Sequence, residues 1–228
     1  MMDAQLTTPP GTLLTDGQVA ATLEQGLAGR MDGKRVLVLI PDHTRTLPLP
    51  QLFRHVVRVL AGASKLDFMV ALGTHPPLGE EQLLRLVGLS AEERAGPYAR
   101  VGIVNHAWGD PGTLVSIGKL GERRIREIAG PRWHPTLGGE VDVLINKAVH
   151  DYDHLLILGP TFPHEVVGFS GGAKYLFPGI SAASMINVTH WLGALAGVRR
   201  TIGVKDTPVR AMIHAAAELV PTPITLAA

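Results

Sequence analysis

The chain has 228 residues, 46% hydrophobic and 18% charged, which is enough apolar material for a substantial core and too little charge for a disordered polymer. Its 21 basic and 20 acidic side chains nearly cancel, and the basic ones are scattered apart from Arg123-Arg124 and Arg199-Arg200, which argues against nucleic acid as a partner. No apolar run approaches the roughly 20 residues of a membrane helix, the N-terminus lacks a basic-then-apolar signal pattern, and the absence of cysteine excludes disulfides and thiolate metal sites. The expected compartment is the cytoplasm, with no membrane partner. Any metal would be held by His, by carboxylate or by donors that a cofactor brings.

Residues 36–40 are a continuous run of β-branched residues and Leu, as in a strand buried on both faces of a parallel sheet, and Pro41 ends it. From Pro50, Leu52, Phe53, Val56, Val57 and Leu60 recur at helical spacing, with Gly62 just beyond. Residues 66–72 read as a second strand, 73–78 as a loop and 80–87 as a helix that Gly88 closes. Two such βα units imply right-handed parallel crossovers. Further strands are expected at 101–104, 113–117, 141–145 and 155–158, with little helix between the middle ones, so the sheet is expected to be mixed there. A helix around 182–195 and another over 208–219, capped by Asp206 or Thr207 ahead of Pro208, complete the pattern. The expected class is α/β, a layered, mostly parallel, Rossmann-like sheet flanked by helices, and residues 1–228 are expected to form a single domain.

In such sheets the ligand crevice lies beyond the carboxyl ends of the strands, which puts three loops on one rim. The first, Pro41-Asp42-His43-Thr44-Arg45, sets a carboxylate, an imidazole, a hydroxyl and a guanidinium after a buried strand; Arg supplies a planar fork for a phosphate or carboxylate. The plainer alternative is an Asp-stabilised turn with a surface Arg. The second, Gly73-Thr74-His75-Pro76-Pro77, holds an imidazole between a permissive Gly and a stiff Pro pair, where it can act as a general base near neutral pH or simply mark a rigid turn. The third runs from Pro163-His164-Glu165 through Gly168-Phe169-Ser170-Gly171-Gly172-Ala173-Lys174 to Pro178-Gly179-Ile180. Its glycines can bring backbone amides to a phosphate, and Lys174 adds a charge or a nucleophilic amine; the order of a Walker A loop is absent. A rival metal site is the pair His150 and His154, at the i, i+4 spacing of helical zinc ligands but without a Glu after the first His.

Taken together, Asp42-His43-Thr44-Arg45, Gly73-Thr74-His75, Pro163-His164, Gly168 to Lys174, Pro178-Gly179-Ile180 and the segment Asp206-Thr207-Pro208-Val209-Arg210 resemble the lactate racemase family across nearly the whole chain. That resemblance implies a nickel-pincer nucleotide, nickel pyridinium-3,5-bisthiocarboxylic acid mononucleotide, joined covalently to Lys174, with His190 as the protein's ligand to the metal. It implies His75 and His164 as paired acid/base residues flanking a 2-hydroxy acid, and Arg45 as the group that orients the substrate carboxylate. Asp42, His43 and Thr44 would contact the nucleotide. The activity implied is racemisation or epimerisation by hydride removal and return. Pro76 stands where lactate racemases commonly carry Arg, so the resemblance implies a 2-hydroxy acid without identifying it as lactate. Family enzymes continue for roughly as many residues again into a second domain that closes the cleft. The expectation is therefore an N-terminal, cofactor-binding half whose C-terminal domain a second chain would supply. Cofactor-assembly enzymes would be further partners, and a cofactor-binding subunit without turnover is the alternative.

Overall fold

The apolar run ending at Pro41 becomes the middle of the sheet. In the computed structural model, which describes residues 4–135 and 139–228, it forms β1 (Arg35–Ile40), whose last five residues are entirely buried. Helix α1 (Asp16–Leu27) precedes it; α2 (Leu49–Val59) leads to β2 (Lys65–Val70), and α3 (Glu80–Val87) with α4 (Ala91–Ala95) leads to β3 (Gly102–Asn105). Then follow β4 (Leu114–Leu120), α5 (Glu122–Ala129), β5 (Val141–Asn146) and β6 (His154–Leu158). The short strands β7 (Pro163–His164) and β8 (Gly168–Phe169), helices α6 (Ala183–Ala196) and α7 (Pro208–Ala217), and β9 (Ile224–Ala227) end the chain.

Five strands pair in the order β3-β2-β1-β6-β9, every pair parallel. The mixed region expected within the sheet is instead a separate antiparallel pair, β4 with β5. Period-two alternation divides the core. Val36, Val38 and Ile40 face Phe53, Phe68 and the α1–α3 layer, while Leu37 and Leu39 face β5 and α5–α7. Phe53 and Phe68 meet at 4.6 Å between ring centroids. Gly88 ends α3 with φ 69°, and a Cβ there would lie 2.6 Å from Pro50 Cβ, so this helix end and the start of α2 need a glycine between them. Thr207 is the residue that caps α7, its hydroxyl accepting the Arg210 N–H at 3.1 Å.

The reversal of strand order falls between β1 and β6, and the loops after β1, β2 and β6 therefore open over one crevice. A buried polar link braces its floor. His106, fully buried just after β3, presents one ring nitrogen to the Ser181 carbonyl at 3.2 Å and receives the Asn146 amide on the other at 3.1 Å. The same bonds fix its tautomer as Nε2–H.

Burial holds His106 below the ordinary imidazole pKa of 6.5, against a smaller opposing effect of the Ser181 bond. The native state therefore binds fewer protons than the unfolded chain in mild acid. This stabilisation is complete above about pH 6.5 and is lost as pH falls toward the depressed value, by up to about 1.4 kcal/mol per pH unit. Urea denaturation should show a midpoint that falls as pH drops below about 6.5, with His106→Gln making the fall shallower.

Candidate functional site

The three rim loops and one face of α6 enclose a cleft of about 480 Å³, within the range of small-ligand sites. Asp42, Thr44, Arg45, His75, His164, Lys174 and His190 all line it; His43 is exposed and stands outside the lining.

Asp42 is 5% exposed and its carboxylate is already engaged. It accepts the Thr44 N–H at 3.0 Å, the Thr44 hydroxyl at 2.5 Å and His75 Nδ1–H at 2.5 Å. Burial alone would raise its pKa, but the bonds from Thr44 and His75 outweigh that and hold it below the usual value. The carboxylate is thus the partner of His75 more than a free acceptor for a nucleotide. With Nδ1 bonded to Asp42, the other ring nitrogen of His75, a residue of the cleft lining, is Nε2. The main chain of this loop is fixed by His75 N–H to the Leu72 carbonyl at 3.0 Å and Gly73 N–H to the Gly179 carbonyl at 2.8 Å.

His164 sits in the β7–β8 hairpin and carries the opposite assignment. Its Nδ1 accepts the Val166 N–H at 3.1 Å, so the neutral ring bears its proton on Nε2. Burial and then the Lys174 charge lower its pKa to about 4, with Glu165 opposing. His164 is thus held uncharged at neutral pH, chiefly by desolvation.

Lys174 lies in a 3₁₀ turn after the glycine pair. Burial first, then the nearby Arg45 and Arg210, lower its pKa to about 8, while Glu165 and Asp42 pull the other way. Roughly a tenth of the amine is therefore free base at pH 7, far more than for an ordinary lysine, and that is the form that attacks an acyl carbon. Across the cleft, His190 Nδ1–H donates to the Ile186 carbonyl at 2.7 Å, which leaves its Nε2 lone pair as a donor for an electrophile or metal. Arg45 lines the same space, one nitrogen 3.3 Å from Thr44 Oγ1.

Two lining residues carried no assignment from the sequence. Glu165 and Tyr175 enter through the turn after His164 and the turn bearing Lys174; their placement beside functional residues was the available signal. Ile186 and Thr189 join His190 at helical spacing on the cleft face of α6. The zinc alternative fails on geometry: His150 is exposed at the end of a 3₁₀ turn, whereas His154 opens β6 with Nε2 2.9 Å from Thr225 Oγ1, so the pair shares no helix face.

Residues 22–128 and 136–203 match the family described as lactate racemase N-terminal domain. Over 166 residues the chain is 32% identical to lactate racemase of Lactiplantibacillus plantarum, an alignment covering 69% of this chain and 33% of that protein. The fold superposes on a crystal structure of a Thermotoga maritima protein with a TM-score of 0.79 at 28% identity, covering 93% of this chain and 51% of that one. A lactate racemase apoprotein from Thermoanaerobacterium thermosaccharolyticum shares the fold, with a TM-score of 0.63 at 22% identity and coverage of 93% and 49%. The chain thus spans between a third and a half of the length of these relatives.

The lowered Lys174 pKa gives a direct test. With limiting acetic anhydride across a pH series, peptide mass spectrometry should find Lys174 acetylated with a midpoint near pH 8. Lys119, whose pKa Glu140 raises, should respond only in strongly alkaline solution. Equal midpoints for the two lysines would contradict the site's electrostatics.

Proposed function

The chain belongs to the lactate racemase N-terminal domain family, and from that premise we propose that it is the cofactor-binding domain of a nickel-pincer nucleotide-dependent racemase or epimerase of 2-hydroxy acids. The observation that carries this reading is the convergence of His75, His164, Lys174 and His190 on one cleft beside Arg45. The residues present suit the cofactor. Lys174 offers a free amine for an acyl tether, and His190 offers one imidazole lone pair. Among the described residues no group of three His, Cys, Asp or Glu side chains could hold a metal ion, so a metal beside His190 needs donors that a cofactor carries.

When bound, the nickel-pincer nucleotide supplies a pyridinium carbon that takes up and returns hydride. The chain's own groups do the rest. Arg45 pairs with the substrate carboxylate and orients the hydrogen on the adjacent carbon toward the cofactor. His75 Nε2 takes the hydroxyl proton, and the Asp42 carboxylate behind Nδ1 stabilises the imidazolium that results. His164 faces the same cleft as the partner base for the other enantiomer, but its Nε2 must first lose its proton to Nδ1, at the cost of the Val166 bond. The two bases are paired and unequal, so the enantiomer that His75 serves should react faster.

A site open to water would let the 2-oxo acid escape. The 33% coverage of the Lactiplantibacillus plantarum protein favours completion of this site by a second polypeptide domain that closes the cleft. A cofactor-binding subunit without turnover of its own is the second reading, favoured by the same coverage.

Co-expression with cofactor-assembly enzymes should add a covalent mass that Lys174→Ala abolishes, whereas His190→Ala should keep the adduct and lose nickel. With a second domain supplied, the loaded protein should racemise a 2-hydroxy acid, and His75→Gln should slow it by about 10²-fold or more. An adduct of the same mass in Lys174→Ala would contradict the tether; an adduct without racemisation in the closed assembly would leave the subunit reading.

A further inference from the structure

The segment from Gly203 to Arg210 takes the carbonyls of the Lys174 loop almost one by one. Gly203 N–H donates to the Gly168 carbonyl at 2.9 Å, and the Thr207 hydroxyl donates to the Val167 carbonyl at 3.0 Å. Arg210 Nη1 then reaches two carbonyls, Phe169 and Gly171, each at 3.1 Å. Because Thr207 also caps α7 through the Arg210 N–H, the helix begins only with Arg210 aimed at the loop. The approach is close: a Cβ on Gly168 would stand 2.1 Å from the Val204 carbonyl oxygen.

Arg210 is an expensive residue for this task. Burial lowers its pKa, and among the described residues no carboxylate forms an ion pair with it. A neutral donor such as Gln would satisfy a carbonyl without that desolvation. The guanidinium adds one thing a neutral amide lacks, a permanent charge beside Lys174, while its Nη1 donates to the carbonyls on either side of Ser170. When two like charges share a partly buried site the weaker base yields its proton, and Arg does not deprotonate. The other groups facing Lys174 are Arg45 from the loop after β1, acting in the same sense, and Glu165 and Asp42, acting against it. His164, held neutral, leaves Arg45 and Arg210 as the cations that act on the lysine.

We propose that Arg210 is a positioning residue for Lys174, gripping the Phe169 and Gly171 carbonyls through Nη1 and so holding the loop that carries the amine with a fixed positive charge beside it. This deepens the tether assigned to Lys174, and its test uses no cofactor, so the two can fail separately. The probe is acetic anhydride: the neutral amine attacks a carbonyl carbon, acetate leaves, and the extra proton on nitrogen passes to solvent.

In the full chain, Arg210→Gln should raise the pH midpoint of Lys174 acetylation by about one unit, roughly a fivefold loss of rate at the original midpoint. Acetylation of Lys119 should not change. Arg210→Lys keeps the charge, so its midpoint should stay near the original. An unchanged midpoint in folded Arg210→Gln overturns the electrostatic claim. If Arg210→Gln does not fold, Arg210→Lys decides: a midpoint that stays near the original supports the proposal, and one that rises overturns it.

Discussion

The buried Asp42 carboxylate is the constraint on which the cleft depends. It sits where β1 runs out, and it must find donors or remain an uncompensated charge at the edge of the core. It finds them in Thr44, two residues on, and in His75, which belongs to the next βα unit. One requirement of solvation thus joins two strand-end loops and sets the proton of His75 on Nδ1. The third loop is anchored by the same logic from the opposite side, where Gly73 binds Gly179 and the start of α7 holds the carbonyls of 167–171.

This construction gives one cleft two histidines in different states. His75 is backed by an anion and exposed toward the cleft; His164 is capped by a backbone amide and desolvated, with the Lys174 charge on one side and the Glu165 carboxylate 3.5 Å from its Nδ1. Lys174 contributes to the low basicity of His164, so acylation of the amine removes part of that effect and leaves desolvation as the main one.

Much of the fold was legible because its signals are local. A strand buried on both faces reads as an unbroken apolar run, and that pattern located β1 and β6; Gly88 marked the end of α3 for the steric reason that Pro50 occupies the space of a Cβ. Helix α5 was missed because only Ile125 and Ala129 of its eight residues are buried, which leaves too few apolar positions to show a period. Helix α1 was missed for the same reason, although Thr15 and Gln18 form the capping box that would have marked its start. Strand β9 is four residues at a sheet edge, and its pairing with β6 is a tertiary matter. The rim residues were legible through strand ends and family resemblance. The bond between Asp42 and His75 was not, because it spans 33 positions and exists only once β1 and β2 lie side by side.

The account stands on the claim that the fold assigns the two cleft histidines opposite tautomers. Long-range ¹H–¹⁵N correlation spectra of the histidine-labelled chain at neutral pH read this atom by atom. The account predicts a protonated Nδ1 on His75, and on His164 an unprotonated Nδ1 beside a protonated Nε2. A protonated Nδ1 on His164, or a proton on Nε2 alone of His75, would contradict it.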